Sequence, residues 1–155
     1  MMVGGRRGFL SLCCVLAAPG TVIAQQTVID GNTLRYQGSI VHLWGIDAPE
    51  KGQRCADGWP AGEVAAQYLA GLVQGRKVAC DLKSTAKPTP VFAACTVDGQ
   101  DLGQSMAAAG MAWSYPAQSQ DYTVAESNAM IQVMGVHAHP CMKAWEWRSR
   151  GLKTP

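Results

Sequence analysis

One long amphipathic stretch stands among short β-prone ones, and that order limits the folds open to the chain. Val64, Ala65, Tyr68, Leu69, Leu72 and Val73 recur at i, i+1, i+4, i+5, i+8 and i+9, which puts them on one face of a helix. The helix starts near Pro60 and is closed by Gly75. Ahead of it, residues 27–29 and 34–36 flank Asp30-Gly31-Asn32-Thr33, and Gln37-Gly38 turns into residues 39–45, a tight β-meander. Behind it, residues 77–82 and 91–97 read as strands around a loop that contains Pro88 and Pro90. Val97-Asp98-Gly99 is a turn. Asp101 opens a short helix through Ala109, with Leu102, Met106 and Ala109 inward and Gly110 as its stop. Residues 111–115 form one more short strand, and residues 123–134 a last helix ended by Gly135. A helix inserted after the third of several short strands predicts a mainly β fold with α: a five-stranded Greek-key barrel of the oligonucleotide-binding (OB) type with about three helices. At 155 residues the chain is one domain's worth.

Residues 1–24 read as a secretory signal peptide. Arg6 and Arg7 form its charged start, residues 9–18 its apolar run, and Val22 and Ala24 supply small residues at the cleavage positions. The expected mature domain is therefore residues 25–155, beginning at Gln25, either periplasmic or fully secreted. Loss of Arg6 and Arg7 lowers the 13 basic side chains to 11, equal to the 11 acidic ones. A neutral chain has no bulk electrostatic grip on phosphate, so any nucleic-acid binding is expected to be weak. No stretch reaches about 18 uninterrupted apolar residues, and no membrane anchor is expected.

Cys13 and Cys14 leave with the signal. The remaining Cys55, Cys80, Cys95 and Cys141, in an exported chain, predict two disulfides out of three possible pairings. Cys80 and Cys95 lie on two strands joined by a loop and are expected to face each other across an antiparallel pair, which leaves Cys55 with Cys141. His137, His139 and Cys141 alternate as potential soft-metal ligands, but no fourth ligand is evident. The expectation is that the histidines meet the dipole at a helix C-terminus and that Cys141 is in its disulfide.

Chemistry concentrates in two segments, residues 28–34 (Val-Ile-Asp-Gly-Asn-Thr-Leu) and residues 43–53 (Leu-Trp-Gly-Ile-Asp-Ala-Pro-Glu-Lys-Gly-Gln). Asp30-Gly31 alone reads as a hairpin turn. A strand that delivers Asp47 and then Glu50 just before a helix places two carboxylates at one barrel mouth, an oxygen-rich site suited to a hard cation such as calcium and to activation of water.

Here the sequence closely resembles the thermonuclease, or staphylococcal-nuclease-like, family. The resemblance runs from about Val28 to Arg148 and includes Trp59-Pro60-Ala61-Gly62-Glu63, residues 97–102, Gly110-Met111-Ala112-Trp113-Ser114-Tyr115 and Trp145-Glu146-Trp147-Arg148. It implies the same barrel with three helices, and a calcium-dependent phosphodiesterase that cuts DNA and RNA. In that family two aspartates and a backbone carbonyl hold calcium, a glutamate assists the attacking water, and two arginines stabilise the phosphate. Carried over, Asp47 matches one calcium aspartate, Ala48 the carbonyl donor and Glu50 the water-activating glutamate.

The other positions depart from the pattern. Asn32 stands where the family has the second calcium aspartate, which keeps an oxygen but halves the formal charge, so calcium binding is expected to be weak. His42 replaces one arginine and cannot make a bidentate fork. Pro90 replaces the other and has no side-chain donor, while Pro88 replaces an aromatic residue. A transition-state arginine is worth roughly 10³ to 10⁵ in rate in phosphoryl transfer generally. Lys87 and the more distant Lys83 are read as solvated loop lysines. Trp113 and Tyr115 are read as core or rim packing rather than base-stacking platforms, and Asp57 as a turn residue. The expectation is a depleted, pseudoenzyme-like site: a non-catalytic or weakly active binding module, with the nuclease as the alternative. A cationic side chain within reach of Asp47 and Glu50 would restore the enzyme reading.

Overall fold

The computed structural model describes Met1 and residues 27–83 and 91–152. The expected signal peptide and its cleavage point fall outside the described residues, as do Pro90, Pro88 and Lys87. The meander forms as the turn signals require: β1 (Thr27–Asp30), β2 (Thr33–Tyr36) and β3 (Ser39–Leu43) are successive antiparallel neighbours, with Leu34 opposite both Val28 and Val41. A two-residue strand, β4 (Ile46–Asp47), follows, and then α1 (Ala61–Val73). After α1 come β5 (Val78–Leu82) and β6 (Val91–Val97), antiparallel to each other. β6 runs parallel to β3, with Val41 opposite Val91 and Leu43 opposite Ala93. The strand order is therefore β1-β2-β3-β6-β5, with a short β7 (Gln100–Asp101) also on β6. Among the described residues these ladders do not close into a ring.

The rest of the chain covers the sheet. Asp101 caps α2 (Leu102–Ala108) by accepting the Gln104 N–H at 2.8 Å. The strand β8 (Trp113–Ser114) pairs with β4 as a separate two-stranded sheet. α3 (Thr123–Ile131) stops short of the expected Met134, since Val133 takes a left-handed φ of 54°, and a 3₁₀ turn at Gly135–His137 follows. A fourth helix, α4 (Ala144–Ser149), was not expected.

The main core lies between the sheet, α1 and α2. Leu34, Val41, Leu43, Leu69, Val97, Leu102 and Met106 are almost fully buried in it, each contributing about 1.5–3 kcal/mol as an apolar side chain removed from water. The buried row of α1 is narrower than its pattern suggests. Ala61, Ala65, Leu69 and Val73 face inward at every fourth position, whereas Tyr68, expected inside, is 37% exposed. Ala109, also expected inward, is only half-buried at the end of α2. A side chain at Gly31 would run into Ala65 and Ala48, and one at Gly62 into the carbonyl of Glu50. The turn at Gly31 is thus also the point where the meander closes on α1. A second, smaller cluster gathers Trp113, Val136 and Ala144, with Trp59, Cys141 and Trp145 against it, and this cluster seats α4.

Candidate functional site

The two small strands and the meander frame a cleft of about 420 Å³ lined by Asp30, Asn32, His42, Asp47, Glu50 and Arg148, with Phe92 and Tyr115 among its other walls. Asp47 ends β4, and its side chain is only 7% exposed. Glu50 follows it on the loop toward α1 and is 34% exposed. The sequence thus brings both carboxylates to one mouth, as their spacing predicts. Ala48 between them packs into the core.

Arg148, from α4, reaches both. Its Nη1 and Nη2 donate to the two oxygens of Asp47 at 3.0 and 2.7 Å, and Nη1 also donates to Oε1 of Glu50 at 2.6 Å. This is a bidentate fork on Asp47 with a third charge-assisted bond on Glu50. The hydrogen bonds from Asp47 and then Glu50 hold the guanidinium well above the usual arginine range, outweighing its partial burial.

The opposite wall is held differently. Asn32 sits at the β1–β2 turn, where its N–H donates to Oδ1 of Asp30 at 3.0 Å and its own Oδ1 accepts from the Thr33 hydroxyl at 3.3 Å. His42, on β3, lies across the ladder from Thr33 and shares a 3.0 Å hydrogen bond between Nδ1 and Thr33 Oγ1. Its ring lies 5.6 Å from that of Phe92. Lys83 pairs with Asp81 at 2.7 Å on the surface. Pro90 lies outside the described residues.

Both disulfides join the expected partners, Cys80 with Cys95 and Cys55 with Cys141, at Cα separations of 4.0 and 4.3 Å. The second begins a row of contacts that staples the loop after Glu50 to the segment leading into α4. Gln53, 1% exposed, accepts the Glu50 N–H at 3.0 Å and donates to the Met142 carbonyl at 2.6 Å. The Ala56 N–H donates to the Pro140 carbonyl at 3.2 Å. Asp57, read as a turn residue, accepts the Trp59 N–H and also pairs with His139 at 2.7 Å, while the rings of Trp59 and His139 stack at 4.2 Å. The hydrogen bond from His139 holds the Asp57 carboxyl below its ordinary value.

His137, His139 and Cys141 therefore serve three separate contacts. His137 is buried against Glu126 at 4.0 Å, its Nε2 has no hydrogen-bond partner, and burial lowers its pKa. Trp113 is buried, and Tyr115 is half-buried at the cleft with its ring 5.7 Å from Trp145.

Sequence reasoning missed Arg148 and Gln53 as site residues. The signal available for Arg148 was its place at the end of Trp145-Glu146-Trp147-Arg148, the last run covered by the family resemblance. Gln53 gave no signal beyond its place in the run after Glu50.

The mixed sheet, the helices set around it and the paired carboxylates at the mouth define a nuclease-type OB scaffold. Residues 40–136 match the family described as staphylococcal nuclease homologue, and the chain belongs to that family. No curated protein matches the chain. Asn32 and Arg148 both lie outside the matched stretch, whereas His42, Asp47, Ala48 and Glu50 lie within it.

The donor set does not fit calcium in this arrangement. A calcium ion takes about 6–8 oxygens. Here both oxygens of Asp47 and one of Glu50 already accept from a guanidinium, and one oxygen of Asp30 accepts from the backbone. Among the described residues no group of three His, Cys, Asp or Glu side chains is disposed to hold a metal.

Proposed function

We propose that this chain is an exported staphylococcal-nuclease-like domain, mature as residues 25–155, whose cleft binds single-stranded nucleic acid weakly and cleaves it little or not at all. The observation that carries this reading is the engagement of Asp47 and Glu50 by Arg148. A general base needs a lone pair facing water, and on Glu50 a guanidinium takes one of the two oxygens, Oε1. A phosphate in the cleft would need cationic partners. His42 supplies a ring tied to Thr33, and Arg148 directs three of its five N–H donors to carboxylates. Arg148 offsets one of the two carboxylate charges and occupies three of their acceptor positions, so calcium is expected to bind weakly. The rings of Tyr115 and Phe92 offer flat surfaces on which a base can stack, a mode of binding that tolerates sequence.

Fluorescence anisotropy with labelled single-stranded DNA and RNA, beside a cleavage assay with and without calcium, tests the proposal. The expected result is weak binding that changes little with salt, without appreciable cleavage. Robust calcium-dependent cleavage that disappears in Glu50→Ala would overturn it.

A cationic side chain within reach of Asp47 and Glu50, the condition for the enzyme, is present in Arg148, and it favours a second reading, a calcium-dependent phosphodiesterase cutting DNA or RNA. Arg148 is a cation at the cleft, the kind of group whose loss at positions 42 and 90 counts against chemistry. In that reading Arg148 leaves Glu50 for the phosphate, and Arg148→Gln abolishes cleavage.

A further inference from the structure

We propose that Arg148 is the resident cation of this cleft: it takes up the carboxylate pair in place of a divalent metal and keeps the metal out while α4 is docked. This rests on the non-catalytic reading above and deepens it by naming what closes the site.

Three observations converge on it. The first is the use of the oxygens: the fork satisfies both oxygens of Asp47, and the same Nη1 bridges to Glu50, so one guanidinium spans the two carboxylates. A metal must break those bonds before it gains its own. The second is burial. Asp47 is 7% exposed, and a carboxylate so removed from water requires a charged partner on the protein side. Arg148 is that partner: its side chain is 49% exposed, and its inner edge is fixed on Asp47.

The third is the way Arg148 is held. α4 is short, but buried Ala144 anchors its start and Trp145 packs on Trp113 and Tyr115 at ring distances of 6.3 and 5.7 Å. Just ahead of it, Cys141 is bonded to Cys55 and the Met142 carbonyl is held by Gln53, whose other end holds the Glu50 backbone. The staple therefore fixes the guanidinium and the carboxylate it covers as one unit. Gln53 and the Cys55–Cys141 bond act as positioning groups for Arg148.

The test is a metal titration of the oxidised full domain, read by calorimetry with calcium and by terbium luminescence, for the wild type, Arg148→Gln, Arg148→Lys and the double variant Arg148→Gln/Asp47→Asn. Circular dichroism checks the fold of each. Arg148→Gln is expected to bind calcium and terbium at least about tenfold more tightly than the wild type, the smallest gain expected from releasing even one of the three charge-assisted hydrogen bonds. Arg148→Lys, which keeps a charge but cannot fork, should fall between them. The double variant should lose the gain, which places the metal on Asp47. If Arg148→Gln does not fold, Arg148→Lys against the wild type decides the question. Equal metal affinity in the wild type and a folded Arg148 variant overturns the inference. A cleavage assay on the same samples keeps the two ideas apart. Wild-type cleavage sinks the non-catalytic reading, whereas unchanged metal affinity sinks only the role given to Arg148.

Discussion

Cys80–Cys95 joins two strands that already pair residue for residue, and in β5 and β6 the two cysteines stand directly opposite each other. Cys55–Cys141 joins segments 86 residues apart that share no strand ladder, and nearly everything else that binds those segments together sits beside it. The first reinforces a contact that hydrogen bonding secures. The second creates a neighbourhood in which Gln53, His139 and Trp59 can act, and through α4 it delivers a cation to the cleft. Two bonds of one chemistry thus have different reach, and the difference follows from what else holds each pair of segments.

The largest expected effect separates the two bonds. On the chain-entropy account, closing a loop with the 86-residue separation of Cys55–Cys141 is worth about 4.5 kcal/mol, against about 3 kcal/mol for the 15-residue separation of Cys80–Cys95. Denaturant unfolding of Cys55→Ala/Cys141→Ala and of Cys80→Ala/Cys95→Ala should give losses in that order. Only the first should also raise calcium affinity, because only it frees α4. Equal losses with no change at the cleft would erase the contrast.

A smaller effect compares the two walls of the cleft. Gln53→Leu leaves the Glu50 N–H and the Met142 carbonyl without their buried partner and should cost about 1–3 kcal/mol. Thr33→Val removes the hydroxyl that bonds His42 and Asn32 on the other wall and should cost about 1 kcal/mol. Thermal or urea unfolding of both variants measures the difference, and a costlier Thr33→Val would show that the hairpin, not the staple, carries the site.

The smallest effect is acid dependence at the staple. Asp57 has its pKa lowered in the folded protein, chiefly by the hydrogen bond to His139, so its contribution is present above the ordinary carboxylate value of 3.8 and is lost as pH falls through the lowered folded value. The Tm of the wild type minus that of Asp57→Asn should be positive at pH 6 and shrink below about pH 4. A difference that stays constant to pH 3 would remove the pair from the staple.

Much of this arrangement was legible in the residues. The meander followed from turn chemistry at Asp30-Gly31 and Gln37-Gly38, α1 from its apolar period, Cys80–Cys95 from the placement of its cysteines on strands, and Cys55–Cys141 by elimination. Asp47 and Glu50 met at one mouth because a strand end and the loop after it are local features. The misses are of other kinds. β4 has two residues, too few for alternation to register, while β8 falls within the short strand read at 111–115 but is shorter than it. α4 has six, less than two full turns, so it gives no period to read. The contacts from Arg148 to Asp47 and Glu50 span 101 and 98 residues, and pattern within a window carries no information about partners that distant. Tyr68 was misjudged because the packing of α1 centres on Ala61, Ala65, Leu69 and Val73, with Leu72 beside that row.

The aromatic seat of α4 has an optical consequence. Trp145 meets Trp113 edge-on at 74° and Tyr115 at 49°, so three chromophores share one rigid chiral setting next to the cleft. Fixed aromatic packing of this kind generates near-ultraviolet circular dichroism, while the sheet is seen in the far ultraviolet. The helix that carries the guanidinium therefore carries its own signal lamp: a near-ultraviolet band that fades while the far-ultraviolet spectrum holds steady marks the moment α4 lifts away.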